Sequence, residues 1–290
     1  MTLLVDAYYT MGCSHRYCED YALHGLEPIP HLILADGCSA APDSDLGARL
    51  LALNARRLLP HFARATDDGQ RLARHWPLGQ RLIRRAARQA RDLGLKDEVL
   101  DATVLIAWCD GTQVHVHLYG DGCLAVCGAD GEVATIQVDY AANAPYYLGY
   151  LLDPERWMFY QEAIGEPDTA QHIHYQSAAG KTTRIERFDH PTVFSFNLAT
   201  FPVVAAATDG LDSLVAVETS ARLDLLTVAR AMLDFHNLDG AFVQRRLCQA
   251  LEEFAQQRVF NVDDLSLGVF VHGTDGSMVN ALPWGEGTRV

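Results

Sequence analysis

Several features are absent from this 290-residue sequence, and each absence argues against a class of protein. No stretch of ~18 consecutive apolar residues occurs, so we expect no membrane-spanning helix. Residues 1–6 include no basic residue and lead into no long apolar run, which argues against a secretory signal peptide. We therefore predict a cytoplasmic protein without a membrane partner.

CxxC spacing is also absent, although the chain has seven cysteines. Their number is odd and several lie in apolar, strand-like runs, so we expect reduced thiols that pack in the core. The nearest approach to zinc-ligand spacing combines Cys123 and Cys127 with His115 and His117. Because these residues alternate along predicted strands, core packing is the better interpretation, and a zinc site is not expected.

Histidine pairs at alternate positions occur twice in predicted strands. His115 and His117 share one strand face, as do His172 and His174. For both pairs, solvent-facing or hydrogen-bonded roles are the more common outcome than metal binding. We expect those roles here.

Positive charge is scarce, with 23 Lys and Arg against 37 Asp and Glu and a formal net charge of −14. Affinity for nucleic acids depends largely on basic side chains that neutralise phosphates, so this balance argues against a nucleic-acid partner and against a metal-dependent nuclease. The apolar content of 49% is nevertheless enough for a substantial core.

The chain does contain four short acidic blocks, each at the edge of a β-like run: Glu19-Asp20, Asp36-Gly37, Asp209-Gly210 and Asp263-Asp264. Carboxylates that are spread over almost the whole length of the chain can act together only if the fold brings them close to one another. Gathered carboxylates hold hard divalent cations. The pattern therefore favours a metal-dependent phosphoryl-group hydrolase.

The order of predicted elements indicates an α+β layered sandwich. Amphipathic helical spacing follows residue 43 and recurs at about 79–93, and a second pair of helices is predicted from about 226 to 254. Between these pairs lie runs of short β-like segments, so the chain does not alternate strand and helix. We predict one domain over 1–272, with an inserted flap at about 139–190 and a loose tail at 273–290.

Five motifs, taken in order, resemble those of the metal-dependent type 2C serine/threonine protein phosphatases of the bacterial type. They are Ser14-His15-Arg16-Tyr17-Cys18-Glu19-Asp20, Leu34-Ala35-Asp36-Gly37, Gly120-Asp121-Gly122, Ala207-Thr208-Asp209-Gly210 and Asp263-Asp264-Leu265-Ser266. Single DG turns are common, but five motifs in order at plausible spacing are specific. The resemblance implies a four-layer α-β-β-α sandwich, with two antiparallel sheets flanked by helix pairs. It also implies a dinuclear Mn²⁺ or Mg²⁺ centre.

The resemblance assigns metal-binding roles residue by residue. Asp36 corresponds to the carboxylate that bridges both metal ions, and the backbone carbonyl of Gly37 to a ligand of one ion. Asp209 and Asp263 correspond to the ligands that complete the other ion. Asp121 matches a position that holds a weaker third metal together with Asp209, and capping of its own turn is the alternative.

The first motif carries the remaining expected site residues. Glu19 matches a position that contacts the second metal directly or through water, and Asp20 matches a carboxylate that orients bound waters. Many family members have a phosphate-binding arginine four residues before the glutamate, where this chain has His15 and where Arg16 comes one residue later. Either side chain is a candidate for the phosphate contact.

The implied function is hydrolysis of phosphoserine and phosphothreonine on proteins by a metal-activated water. The partners would be a phosphorylated protein and a serine/threonine kinase. A catalytically weak pseudophosphatase that binds phosphoproteins is the alternative, motivated by the displaced arginine, and a hydrolase of small phosphoesters is a third possibility. Tyr146, Tyr147, Tyr150 and Trp157 in the predicted flap form either a peptide-binding surface or the small core of the flap.

Overall fold

In the computed structural model, which describes residues 2–273, two antiparallel sheets pack face to face. The predicted tail lies outside the described residues from position 274 onward. With strands numbered in chain order, the larger sheet has the spatial order β1 (Thr2–Thr10), β15 (Leu265–Gly273), β11 (Val203–Ala207), β6 (Gly122–Cys127), β7 (Val133–Tyr140), β8 (Gln171–Ser177) and β9 (Gly180–Glu186). The smaller sheet has the order β10 (Thr192–Asn197), β5 (Gln113–Tyr119), β4 (Ala102–Cys109), β3 (His31–Gly37) and β2 (Asp20–Gly25).

Helix pairs cover the outer faces of the two sheets. Within the described residues the α-helices are α1 (Ser44–Phe62), α2 (Asp68–Asp92), α3 (Pro154–Ala163), α4 (Leu225–Leu233) and α5 (Phe242–Gln256). Helices α1 and α2 pack on the smaller sheet, and α4 and α5 pack on the larger sheet. A small third sheet combines β13 (Ala221–Arg222), β12 (Leu214–Ala216) and β14 (Val259–Asn261). This layering confirms the predicted α-β-β-α sandwich.

The apolar strands are buried on both faces because each sheet lies between a helix pair and the other sheet. In β3, Leu32 and Leu34 face the core between the sheets, whereas Ile33 and Ala35 face α1 and α2. The two-residue period of a strand produces this division. The near-continuous apolar run that ends at Asp36 is therefore the sequence signature of a strand in the inner layer.

Two predicted element boundaries need correction. Helix α2 begins at Asp68 rather than at about 79, and the side chain of Asp67 caps its first turn. The helix continues through position 77, although a proline such as Pro77 ordinarily ends a helix. The flap predicted for 139–190 is smaller than expected, because β8 and β9 form a hairpin at the edge of the larger sheet. Strand β9 is exposed almost throughout, so it lacks the apolar alternation that predicts a strand.

Short 3₁₀ segments complete the described chain: Asp97–Leu100, Ala141–Asn143, Leu148–Leu152, Pro167–Thr169 and Asp209–Asp212. No helix within residues 2–273 is both long enough and apolar enough to cross a membrane.

Candidate metal centre

The acidic motifs lie at strand ends that meet at one end of the sandwich. In the smaller sheet, Asp20 at the start of β2 pairs with Asp36 at the end of β3, and Asp36 pairs with Thr103 at the start of β4. In the larger sheet, Asp209 follows the end of β11, and the 263–264 block precedes β15, which pairs with β11. Antiparallel pairing therefore brings these ends together, although the motifs are far apart in sequence.

Asp36 and Asp209 form the centre of the group. Asp36 lies at the end of β3 in the smaller sheet, and Asp209 follows β11 in the larger sheet. Burial is the main factor that raises the pKa of both groups, and the neighbouring charges of Asp20 on Asp36 and of Asp263 on Asp209 raise it further.

Asp20 lies beneath this pair and is fully buried. The Thr208 hydroxyl donates a hydrogen bond to Asp20 Oδ2 over 2.8 Å, while Oδ1 has no hydrogen-bond partner among the described residues. Burial raises the pKa of Asp20 to about 8. The Ser266 amide donates to the Thr208 hydroxyl over 2.9 Å, so a short chain of polar groups from both sheet ends orients this carboxylate.

Asp121 is held at the edge of the group by the turn between β5 and β6. The Thr103 hydroxyl donates to Asp121 Oδ1 over 2.6 Å. Burial, followed by the charge of Asp209, raises the pKa of Asp121 to about 8. Asp121 thus lies within electrostatic reach of Asp209, as its predicted role with that residue requires.

Residues 12–19 are fastened to the group by Asp264. Its carboxylate accepts hydrogen bonds from the backbone amides of Gly12, over 2.7 Å, and Glu19, over 2.6 Å. The Glu19 side chain accepts a hydrogen bond from the Ser44 hydroxyl at the start of α1. Asp264 is therefore a buried organiser of the first motif.

His15 points into the carboxylates and Arg16 does not. His15 Nε2 lies 3.2 Å from Asp263 Oδ1, and Nδ1 lies 3.1 Å from Asp264 Oδ2 and 3.7 Å from Glu19 Oε2. Arg16 is exposed. Of the two candidates for the phosphate contact, only His15 is part of the carboxylate group in this arrangement.

Two glycines are required by close backbone approach. A Cβ on Gly210 would overlap the backbone oxygen of Asp264, and a Cβ on Gly37 would lie 2.6 Å from the backbone oxygen of Ser44. The glycines of both DG motifs therefore allow the site loops to pack against neighbouring backbone.

Sequence reasoning missed several residues that support the group. Thr103, Thr208, Ser44 and Ser266 bond to its carboxylates or to one another. Thr208 and Ser266 lie within the motifs, which was a usable signal, whereas Ser44 and Thr103 lie in no motif. Tyr147 was assigned to the flap without a role at the site. Burial raises its pKa, and the charges of Asp121 and Asp36 contribute.

Tyr146, the residue before Tyr147, belongs to the core. It is almost fully buried, and its ring makes an edge contact with Phe188 at a centroid distance of 4.8 Å and stacks on Tyr150. Tyr146 therefore packs with other aromatic side chains of residues 139–190, as the core alternative predicts.

The donor set fits hard divalent cations. Its potential ligands are carboxylate and carbonyl oxygens, which Mg²⁺ and Mn²⁺ prefer. Asp20 Oδ1 and Asp209 Oδ1 are buried oxygens without a hydrogen-bond partner among the described residues. Several of the adjacent carboxylates have raised pKa values, and within residues 2–273 His15 is the one basic side chain in contact with them. Bound positive charge would compensate this negative charge.

A family comparison is consistent with this geometry. The family model described as protein phosphatase 2C matches residues 14–252. No curated protein matches the chain.

Solved structures share the fold at low sequence identity. A bacterial serine phosphatase is 13% identical with a TM-score of 0.56, and the match covers 94% of this chain and 99% of that one. PppA, a regulatory component of T6SS in Pseudomonas aeruginosa, is 17% identical with a TM-score of 0.53, covering 93% and 98%. The catalytic domain of the serine/threonine protein phosphatase PstP, in complex with two manganese ions, is 18% identical with a TM-score of 0.50, covering 93% and 97%.

Proposed function

The chain belongs to the protein phosphatase 2C family of protein serine/threonine phosphatases, and from this premise we propose that it hydrolyses phosphoserine and phosphothreonine on proteins with two bound Mn²⁺ or Mg²⁺ ions. The observation that carries the proposal is that the strand ends of the two sheets meet at the acidic motifs: Asp20 pairs with Asp36 in the smaller sheet and accepts a hydrogen bond from Thr208, the neighbour of Asp209, in the larger sheet.

We assign the ions to the predicted residues. Asp36, Asp209, Asp263, Glu19 and the backbone carbonyl of Gly37 would hold the two ions. Two such ions, when bound, would lower the pKa of a water molecule and neutralise charge on the phosphoryl group. A third ion would lie between Asp121 and Asp209.

The chain's own residues would then position the reactants. Asp20 would orient an attacking water and accept a proton from it, a role supported by its one oxygen bonded to Thr208 and its other oxygen without a partner among the described residues. His15 is the candidate that contacts the carboxylate group, and Arg16 would reach the phosphate from the exposed side. The Tyr147 ring would exclude bulk water from one side of the group.

A phosphoprotein-binding pseudophosphatase is the second candidate. Its support is that His15 stands where many family members have arginine and is held by carboxylates, so no arginine contacts the group within residues 2–273. An arginine binds phosphate with two parallel hydrogen bonds, which an imidazole cannot supply. A folded chain that binds phosphopeptide without hydrolysing it would fit this candidate.

The physiological setting belongs to the same proposal. We expect a cytoplasmic enzyme that reverses the action of a serine/threonine kinase on a shared protein substrate. Excess negative charge argues for a peptide substrate over a nucleic acid.

Hydrolysis of a phosphothreonine peptide tests the proposal, with parallel assays in EDTA, Mg²⁺ and Mn²⁺. We expect phosphate release only with a divalent cation and a loss of at least ~100-fold in Asp36→Asn. Asp92→Asn, an exposed change at the end of α2, is the matched control and should keep full activity. No release by folded protein under any metal contradicts the proposal, and faster turnover of a small phosphoester than of the peptide would favour the third possibility.

A further inference from the structure

Three metal-ligating side chains cluster on the outer face of the larger sheet, outside the carboxylate group described above. Asp139 lies on β7, and His172 and His174 lie on β8. Asp139 Oδ1 is 3.1 Å from His172 Nδ1, and Oδ2 is 3.0 Å from His174 Nε2. We propose that these three residues bind a transition-metal ion such as Zn²⁺, at a site separate from the catalytic metals.

Strand register prearranges this cluster. Asp139 is directly opposite His172 in the antiparallel pair of β7 and β8, and His174 is two residues further along the same face. Directly opposite and diagonal neighbours on one face of a sheet are within reach of each other's side chains. One ligand atom from each residue lies within 4.8 Å of the other two. The backbone therefore holds the three side chains together without a loop.

A hydrogen bond on the far side of His174 favours the ligating form of the ring. His174 Nδ1 lies 2.8 Å from the Thr183 hydroxyl on β9. Metal-binding histidines usually donate their other ring N–H to an oxygen, which fixes the tautomer and the ring orientation. When Nδ1 donates to Thr183, Nε2 presents a lone pair to the Asp139 carboxylate, and that contact is attractive only with a cation between the two groups.

The spacing and the ligand types indicate which ions fit. Zinc bonds to imidazole nitrogen and carboxylate oxygen are about 2.0–2.2 Å long, which places tetrahedral ligand atoms about 3.3 Å apart. The observed separations of 3.0 and 3.1 Å involve the two different oxygens of Asp139, and one ligand atom of each residue lies within 4.8 Å of the others, so small side-chain rotations have to bring the three ligand atoms around one ion. Two imidazoles with one carboxylate select transition metals over Mg²⁺.

The site is open to solvent. The side chains of His172, His174 and Asp139 are 32%, 21% and 39% exposed, so an ion has a path to them and water is able to complete its coordination. Three protein ligands with open positions differ from the four-ligand, closed sites in which zinc supports a fold. Zinc binding at this three-residue site would be reversible and would depend on the surrounding zinc concentration.

The site also lies beside the carboxylate group. Val138, the neighbour of Asp139, pairs with Gly122, the neighbour of Asp121. An ion at Asp139 would therefore add positive charge next to the turn that carries Asp121.

Equilibrium dialysis against Zn²⁺ in excess Mg²⁺ tests the proposal, with bound zinc measured by mass spectrometry. Magnesium competes for all-oxygen sites and not for imidazole. We expect one zinc per chain in the unmodified protein and in Asp36→Asn. In the double variant His172→Asn with His174→Gln, we expect zinc affinity to fall by more than about tenfold. The amide nitrogens of the new side chains stand near the replaced ring nitrogens, so their contacts with Asp139 are kept.

His24→Gln is the matched control, because His24 is a partly exposed histidine 3.5 Å from Asp6 and should not affect zinc binding. Nitrogen-15 NMR of the unmodified protein gives a second readout, in which zinc should shift the resonances of the His172 and His174 ring nitrogens. Equal zinc binding by the double variant overturns the proposal. Loss of zinc in Asp36→Asn, or unchanged ring-nitrogen resonances on zinc addition, does so as well.

Discussion

Replacing Asp36 with asparagine should stabilise the metal-free protein and remove its response to Mn²⁺. Asp36 is desolvated and surrounded by the charges of Asp20, Asp209 and Asp121, all of which raise its pKa. An asparagine of the same shape adds no charge beside Asp209. The variant should therefore relieve repulsion that the folded chain otherwise bears.

The raised pKa values determine how the stability gained in Asp36→Asn changes with pH. A carboxyl group whose folded pKa lies above its unfolded value binds more protons in the folded state, so its contribution to stability is present at low pH and is lost as pH rises through the folded pKa. Asp20 and Asp121 have pKa values of about 8, against an ordinary 3.8. The advantage of Asp36→Asn should be small near pH 5 and largest near pH 8.

The size of the stability gain in Asp36→Asn depends on the Coulomb repulsion that is removed, and protonation of the unmodified protein limits it. Two unit charges ~4 Å apart interact by ~4 kcal/mol at an effective dielectric constant of ~20. Since the unmodified protein relieves part of this energy by taking up protons, we expect ~1–3 kcal/mol at pH 8. With ~2 °C per kcal/mol for a chain of 290 residues, the melting temperature in EDTA should rise by ~2–6 °C.

Thermal unfolding in EDTA and in Mn²⁺ at pH 5 and pH 8 is the assay. The unmodified protein should gain stability with Mn²⁺ at pH 8, whereas Asp36→Asn should start higher and gain little. Asp92→Asn should behave like the unmodified protein under both conditions. A lower melting temperature for metal-free Asp36→Asn at pH 8, or an undiminished Mn²⁺ response, would refute the reasoning.

Three further predictions concern residues around the site and in the core. Burial lowers the pKa of His117 to about 3 and also lowers that of His75, so the free energy of unfolding should fall as pH decreases below ~6.5. In urea unfolding, His117→Gln should reduce the slope of this free energy against pH by ~1.4 kcal/mol per pH unit. An equal slope in the variant would count against the explanation. Gly210→Ala should cost ~1–3 kcal/mol and abolish activity because its Cβ would overlap Asp264, while Gly69→Ala in the first turn of α2 is the control with little change in melting temperature. Asp264→Asn supplies one acceptor oxygen, whereas the backbone amides of Gly12 and Glu19 need two. We therefore expect kcat to fall at least ~10-fold and the free energy of unfolding to fall by ~1–3 kcal/mol. A wild-type kcat would contradict the role of Asp264 in positioning the first motif.

Much of the layering was accessible from sequence because the two-residue period of strands and the 3.6-residue period of helices are local properties. The run that ends at Asp36 is apolar on both faces, which predicts an inner strand, and α5 shows one apolar face. Failures occurred where local signals were weak. The β8–β9 hairpin is too polar to stand out, and the capped start of α2 lies before an internal proline.

The amino-acid sequence by itself determined the inventory of the site: the acidic motifs, their order, and the glycines that let the loops approach. Only the tertiary structure decided how these parts meet, because the contacts join residues 12–19 to residues 263–264 and depend on strand register and loop closure. In the tertiary structure, Asp264 accepts hydrogen bonds from the backbone of the first motif, and His15 contacts the carboxylates. The tertiary structure also placed Asp139 opposite His172, since pairing between strands about 30 residues apart along the chain follows from sheet packing and not from any local pattern.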